Sequence, residues 1–400
     1  MAIFKKNIDG LLLSTFPFML PRHGGQVRLK KTYDYLNKNG HNLKSIAFFE
    51  QNAYPRACIG KFDIPMPLND SWQIYKGHQQ PLANDFITGE YVFKNKDYFL
   101  KQVQKRFSNI DYIYVEHPWL YKFANFIKEE KFHSLKIILG YPNIEYKLKR
   151  EILKSFSIQQ EDLIDDIKKI EIHAIKNSDL IFLVSKTEMS FCQVIKSPNT
   201  KLAYSKNGFD PLSDVENKSY QKLKKILPKK FIFYFGSGHP PNFTHINEYL
   251  GDILAYLPPD VKLVIAGGVS QHVYSAFTKD ENFMFNQSRL ILLDEISDCD
   301  LNTLLNLAHI IVLPIGYGGG SALKTAQAIG SKCFVVSNNI GLRDFEEYID
   351  NRKIYLCKKN NFKETIVKLL EKRKSFKKNY SELTWEFQLK IIDHEIRGIL

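Results

Sequence analysis

Short apolar runs rich in β-branched and aromatic residues alternate along this chain with longer stretches of helical periodicity. In the first half, residues 11–15, 43–48, 112–115, 136–139, 180–184 and 202–205 predict strands. Helical patterns lie between most of them. Leu163, Ile167, Ile170 and Ala174 recur at a spacing that puts one apolar stripe on a helix just before the strand at Leu180. From residue 51 to residue 89 the pattern fails, and Pro55, Pro65, Pro67 and Pro81 predict a long surface excursion. A second series opens after Pro228, with strands predicted at 231–235, 262–266, 290–293, 310–313, 333–336 and 354–356. Leu301, Leu304, Leu305 and Ala308 mark one of its helices. Strand and helix in strict alternation predict an α/β chain whose parallel sheets are covered on both faces. Two series predict two doubly wound, Rossmann-like domains facing a central cleft, residues 1–206 and 207–382, with the polar stretch 207–230 as linker.

Composition narrows the class. Four hundred residues suit two domains, and 44% apolar with 25% charged residues excludes wholesale disorder. No run approaches the ~20 apolar residues that span a bilayer. The best, residues 11–20, is broken by Pro17, and the basic pair Lys5 and Lys6 ahead of it is followed by no small-residue cleavage site. Five cysteines, scattered and never in a C-x-x-C pair, argue against a disulfide frame or zinc site and for a reducing cytoplasm. The net charge of +13 leaves two readings open: a phosphate-bearing partner, or a Lys-rich solvated surface. No block is dense enough for a nucleic-acid arm, so nucleic acid is not expected as a partner. The densest basic stretch, 368–378, is a candidate for peripheral contact with the cytoplasmic face of a membrane.

In open parallel sheets ligands bind beyond the carboxyl ends of strands, so chemistry is sought in the loops that follow them. The strongest candidate follows the strand ending near Pro314, where Gly316, Gly318, Gly319 and Gly320 lead into Ser321 as helix cap. Adjacent glycines let backbone N–H groups approach an anion, and the helix start adds favourable potential. Lys324 adds a full charge and Gln327 lies on the same helix face, which favours a diphosphate site over a purely steric turn. Gly236, Ser237 and Gly238, with Asn242 beyond Pro241, repeat the arrangement after the first strand of the second series. Gly267 and Gly268 end another strand at that edge, and the loop carrying Glu295 is placed near a nucleotide base, unless Glu295 is simply solvated.

In the first series, His23, Gly24 and Gly25 open a helix after the first strand. Arg28, in its first turn, opposes the helix dipole, which implies an anionic neighbour or an exposed side chain. His117 could face a sugar with Trp119 as a stacking surface; a half-buried structural pair fits equally. Asn143 and Glu145 are hydroxyl binders or else a helix cap with an acidic first turn. There is no G-x-S-x-G, P-loop or H-E-x-x-H motif, and the first loop is not G-x-G-x-x-G.

The order of these motifs resembles the GT-B glycosyltransferases, family 4 in particular, over nearly the whole chain. The residues that carry it are His23 to Gly25 with Gly40 and His41, Asn143 to Glu145, Ser185 to Glu188, and Asn207 to Asp210. They continue with Phe235 to Ser237, Pro241 and Asn242, Ala266 to Gly268, and Gly318 to Lys324. The resemblance implies GT-B architecture, a nucleotide-sugar donor on the second domain, and a glycan or lipid-linked acceptor on the first. It also implies retention at the anomeric carbon, no metal or other cofactor, and a last helix, 383–400, that packs back on the first domain. UDP or GDP is the expected nucleotide, and bacterial surface polysaccharide or glycoconjugate synthesis the expected role. The catalytic residues so implied are Lys324, His117 and Glu145. The family's paired glutamates are absent: Gly319 and Gln327 stand in their places, and Pro142 stands where the family has a histidine. A noncatalytic GT-B partner subunit, a nucleotide-sugar epimerase on the same fold and a basic nucleic-acid binder are the competing readings.

Overall fold

In the computed structural model, residues 8–68, 70–238, 242–243, 246–278, 287–318, 322–376 and 378–400 are described. Each predicted apolar run forms a strand. In the first series these are β1 (Ile8–Ser14) and β2 (His41–Phe49), then, after three very short strands β3 (Ile64–Pro65), β4 (Ile74–Tyr75) and β5 (His78–Gln79), β6 (Tyr112–Glu116), β7 (Lys136–Tyr141), β8 (Leu180–Leu183) and β9 (Lys201–Tyr204). The second series supplies β10 (Lys230–Phe235), β11 (Val261–Ala266), β12 (Leu290–Leu293), β13 (Ile310–Leu313), β14 (Phe334–Ser337) and β15 (Ile354–Leu356).

The chain divides into two units, one of Met1–Lys206 with Glu386–Leu400 and the other of Asn207–Trp385. The first holds a seven-stranded sheet in the order β3-β2-β1-β6-β7-β8-β9, every pair parallel. The second holds a six-stranded parallel sheet, β12-β11-β10-β13-β14-β15. In both, the chain lays strands outward from the first one, then returns to its other side. The order therefore reverses between β1 and β6 and again between β10 and β13, and these reversals are where a doubly wound sheet opens a binding crevice.

Both faces of the second sheet are buried. Along β10, Phe231, Phe233 and Phe235 enter one apolar cluster while Ile232 and Tyr234 enter the other. In the first unit Ile113 and Val115 of β6 join the larger apolar core, together with Leu163, Ile167, Ile170 and Ala174 of the helix Glu161–Asn177. The opposite face is more polar. There Tyr112 meets His41, whose other ring nitrogen lies 2.8 Å from Asp393 of the last helix, Trp385–Arg397. Gln388 of the same helix accepts from the N–H of Lys206 at 2.7 Å, and Arg397 donates to the Asn39 carbonyl at 2.6 Å.

Two expectations are corrected. The excursion after β2 ends at the helix Asn84–Lys94, and it is packed rather than loose: Cys58, Met66, Trp72 and Ala83 are buried along it. Proline there breaks periodicity without preventing burial. The stretch 207–230 is not a free linker either. Phe209 is buried in the second unit's core and pairs with Thr384, while Leu223 is buried on the helix Asn217–Lys224. All five cysteines are free thiols. No helix among the described residues is long and apolar enough to cross a membrane.

Candidate functional site

The reversal in the second sheet lies between the loops that follow β10 and β13, the two glycine-rich segments. The helix after β13 runs Leu323–Gly330 with Ala322 in the N-cap position, so Lys324 is its second residue. Gly319, Gly320, Ser321 and Pro241 lie outside the described residues. Lys324 Nζ donates to Asn242 Oδ1 at 2.5 Å and to the Tyr234 hydroxyl at 3.3 Å, and it lies 4.9 Å from the centre of the Tyr234 ring. Asn242 in turn donates to the Ser237 carbonyl at 2.8 Å and its hydroxyl at 3.2 Å. One short network thus ties the two loops across the head of β10. Burial lowers the Lys324 pKa to about 7. An arriving anion would restore its charge.

The glycines divide by role. The N–H of Gly236 donates to the Ala266 carbonyl, and that of Gly267 to Leu293 and Asp294. Both N–H groups are taken, which leaves Ser237 and Gly238 as candidate backbone donors among the described residues of the β10 loop. Space is tight at Gly236 and forbids a side chain at Gly267. A Cβ on Gly236 would lie 3.0 Å from Lys324 Nζ, and one on Gly267 would lie 2.5 Å from the Gly236 carbonyl oxygen. Gly318 has φ of 138°, a conformation open to glycine, and its carbonyl accepts from Arg343 at 2.6 Å. Gln327 is half-buried on the same helix as Lys324, and Glu295 is exposed beyond β12, two strands from β10.

In the first unit the reversal gathers the ends of β1 and β6. His23 takes the N-cap position of the helix Gly24–Lys38, opening it with Gly24 and Gly25. Phe16 contacts both His23 and His117 edge-on, with ring centres 5.4 and 6.0 Å apart. His117 Nδ1 lies 2.7 Å from Glu145 Oε1, and Asn143 donates to the same oxygen at 3.2 Å. Burial disfavours a charged His117, yet Glu145, backed by Glu116 and Asp85, outweighs it and lifts its pKa to about 9. The shift favours the imidazolium form of His117 beside Glu145. His117 also has φ of 62° and ψ of 162°, a strained backbone for a residue with a side chain.

Two expected acceptor contacts are corrected. Trp119 is 2% exposed, its ring closed into the core against Phe86, so it offers no open stacking surface. Arg28 is buried, and its anionic neighbour is Glu116 of β6 rather than a ligand. It is 4% exposed and donates to the carbonyls of Ser205 and Lys206 at 3.0 and 3.2 Å, pinning the end of β9.

Three residues escaped the sequence reading. Asp85, on the first turn of the helix Asn84–Lys94, receives Lys149 at 3.4 Å; despite desolvation, Lys149, His117 and His23 hold its pKa below the usual carboxylate value. Arg343 gave no sequence signal, because it reaches Gly318 from a different loop, the one after β14. Glu171 did leave one: four residues after Ile167, it falls on the apolar stripe. It is fully buried. Among the described residues, no group of His, Cys, Asp and Glu side chains is placed to hold a metal ion.

No family model matches the chain, and no curated protein matches it by sequence. Solved structures match over nearly its whole length. A sucrose-phosphate synthase from Thermosynechococcus elongatus is 13% identical with a TM-score of 0.65, over 98% of this chain and 95% of that one. A UDP-forming α,α-trehalose-phosphate synthase from Burkholderia xenovorans, in complex with glucose-6-phosphate, is 12% identical with a TM-score of 0.66, over 98% and 100%. HepE from Anabaena, in complex with UDP and glucose, is 12% identical with a TM-score of 0.59, over 98% and 97%. Likeness at such low identity speaks to architecture, and together with the two parallel sheets it identifies the fold as GT-B, built from two Rossmann-like domains.

Proposed function

We propose that this protein is a glycosyltransferase that moves a sugar from a nucleoside diphosphate to a glycan or lipid-linked acceptor. The observation that carries this reading is Lys324, lodged at the head of β10 between two glycine-rich loops where the second sheet reverses. In this reading Ser237, Gly238, the Gly318 loop and Lys324 receive the diphosphate, with Gln327 on the same helix. The first unit binds the acceptor beside His23, Asn143, His117 and Glu145. As the sugar leaves, charge grows on the departing phosphate, and donors already in place favour that state over the bound donor. Loss of Lys324 should remove about 2–4 kcal/mol of that stabilisation. Seven motifs in family order support kinship with glycosyltransferase family 4, and with it retention of configuration without a resident metal. The leaving phosphate then accepts the acceptor's proton. UDP and GDP are the favoured donors' nucleotides. Bacterial surface glycoconjugate synthesis is the favoured setting, where a net charge of +13 would favour contact with an anionic membrane face.

The test is a thermal-shift and calorimetric panel of UDP, GDP, CDP, ADP and dTDP against the unaltered protein and Lys324→Met. A nucleotide at a hundred times its Kd adds about 2.7 kcal/mol of stability. One nucleotide should stabilise the unaltered protein, and Lys324→Met should weaken its binding about thirtyfold or more. Equal binding by both would remove Lys324 from the site. Absence of any shift would favour a noncatalytic partner.

A further inference from the structure

Helices start with N–H groups that have no intrahelical partner, and an N-cap side chain commonly satisfies them. The helix Glu145–Ser155 has no such cap, because Ile144 stands in the N-cap position. Its first two N–H groups go elsewhere. Glu145 donates to Glu171 Oε1 at 2.5 Å and Tyr146 to Glu171 Oε2 at 3.3 Å, while the Tyr141 hydroxyl donates to Oε1 at 2.6 Å. Glu171 belongs to a different helix, Glu161–Asn177, and is completely buried. A carboxyl group is expensive to bury, and three converging donors are what make this one tolerable.

We propose that Glu171 is a positioning residue for the first unit's site, capping the helix Glu145–Ser155 from outside so that the Glu145 carboxylate is held against His117. The role rests on the reading of His117 and Glu145 as acceptor-site residues. The geometry is a relay of fixed atoms. Glu171 grips the backbone of Glu145, whose side chain grips Nδ1 of His117 at 2.7 Å. His117 is fixed from the other side by its N–H, which donates to the Gly140 carbonyl at 2.9 Å. Because His117 holds a strained backbone, it depends on these neighbours to stay in place. The groups facing Glu171 are Tyr141 from β7, Glu145 and Tyr146 from the capped helix, and Cys192 from the helix Lys186–Ile195. None is a cation that could replace its hold on the N–H groups.

The test is the titration of His117 by imidazole 15N NMR, assigned by its absence from the spectrum of His117→Asn. In Glu171→Gln the amide NH2 must face one of the three donors, so at least one bond is lost. His117 should then titrate about one pH unit lower or more as Glu145 drifts from it. In transfer assays kcat should fall about tenfold, with the donor KM within about twofold of its original value. An unchanged His117 titration in Glu171→Gln would overturn the proposal, whatever happens to activity. Should that variant fail to fold, Glu171→Asp is read in the same way, since its shorter side chain cannot span all three donors. The NMR readout does not require turnover. A protein that transfers no sugar would refute the functional reading while leaving this measurement decisive for Glu171.

Discussion

Gly236 and Gly267 look alike in sequence, both ending a strand at the same sheet edge, yet they answer to different constraints. A methyl on Gly236 would press on the ends of Lys324 and Asn242, at 3.0 and 3.2 Å. Both side chains can retreat, so Gly236→Ala should fold normally and instead displace the ammonium, weakening nucleotide binding about tenfold by calorimetry. A methyl on Gly267 meets the Gly236 carbonyl oxygen at 2.5 Å, and Gly267 has φ of 90°. Backbone cannot retreat. Gly267→Ala should therefore lower stability by about 2 kcal/mol or more, read from its urea midpoint with no nucleotide present. Glycines clustered in the loops after the strands pointed to this edge, but the clusters could not say which glycines serve as donors and which make room. That distinction lies in the hydrogen bonds from Gly236 and Gly267 to strand carbonyls, and those depend on neighbours far along the chain. Glu171 was missed for the opposite reason: a carboxylate in a helix is usually solvated, and only its place on the apolar stripe argued otherwise.

The twelve main strands were legible because parallel strands covered on both faces read as near-continuous apolar runs rather than alternating ones. The short β3, β4 and β5 carried no such signal; two residues each are too few to set a period. Arg28 shows how an element can mislead when read alone. A cation in a helix's first turn implied an anionic neighbour or an exposed side chain. The neighbour is Glu116, but the guanidinium itself donates to the carbonyls that end β9, 177 and 178 residues away, not to an acceptor. The two assignments part under mutation. Arg28→Met removes donors from two buried carbonyls and should destabilise the protein by about 2–4 kcal/mol in urea unfolding, leaving nucleotide affinity unchanged. Normal stability with a selective rise in acceptor KM would return Arg28 to the acceptor site.

The two units carry buried ionisable groups of opposite sense, and this makes their stabilities diverge with pH. In the first, His117 is raised to about 9 and Glu171, by burial and by the charge of Glu145 against its three donors, to about 8. Their ordinary values are 6.5 and 4.5, so over these windows the folded unit binds more protons than the unfolded chain. Its stability is largest on the acid side and is lost as pH rises through 8 and 9. In the second unit, burial lowers Lys324 to about 7 and Lys353 to about 8, both from 10.5. There the folded state binds fewer protons, and stability rises with pH from about 7 onward. Each group contributes at most about 1.4 kcal/mol per pH unit. Hydrogen exchange read by mass spectrometry from pH 7 to 9, corrected for the intrinsic rate, should show protection falling in peptides of β6 to β8 and growing in peptides of β10 to β14. Glu171→Gln should flatten the first trend and Lys324→Met the second, each leaving the other unit's trend intact. Parallel slopes in the two units would mean that these four groups do not govern the pH response. A bound nucleotide adds a further check, since its phosphates would recharge Lys324. Binding at pH 8 should then take up protons, measured as a heat that varies with the ionisation enthalpy of the buffer, and Lys324→Met should abolish that dependence.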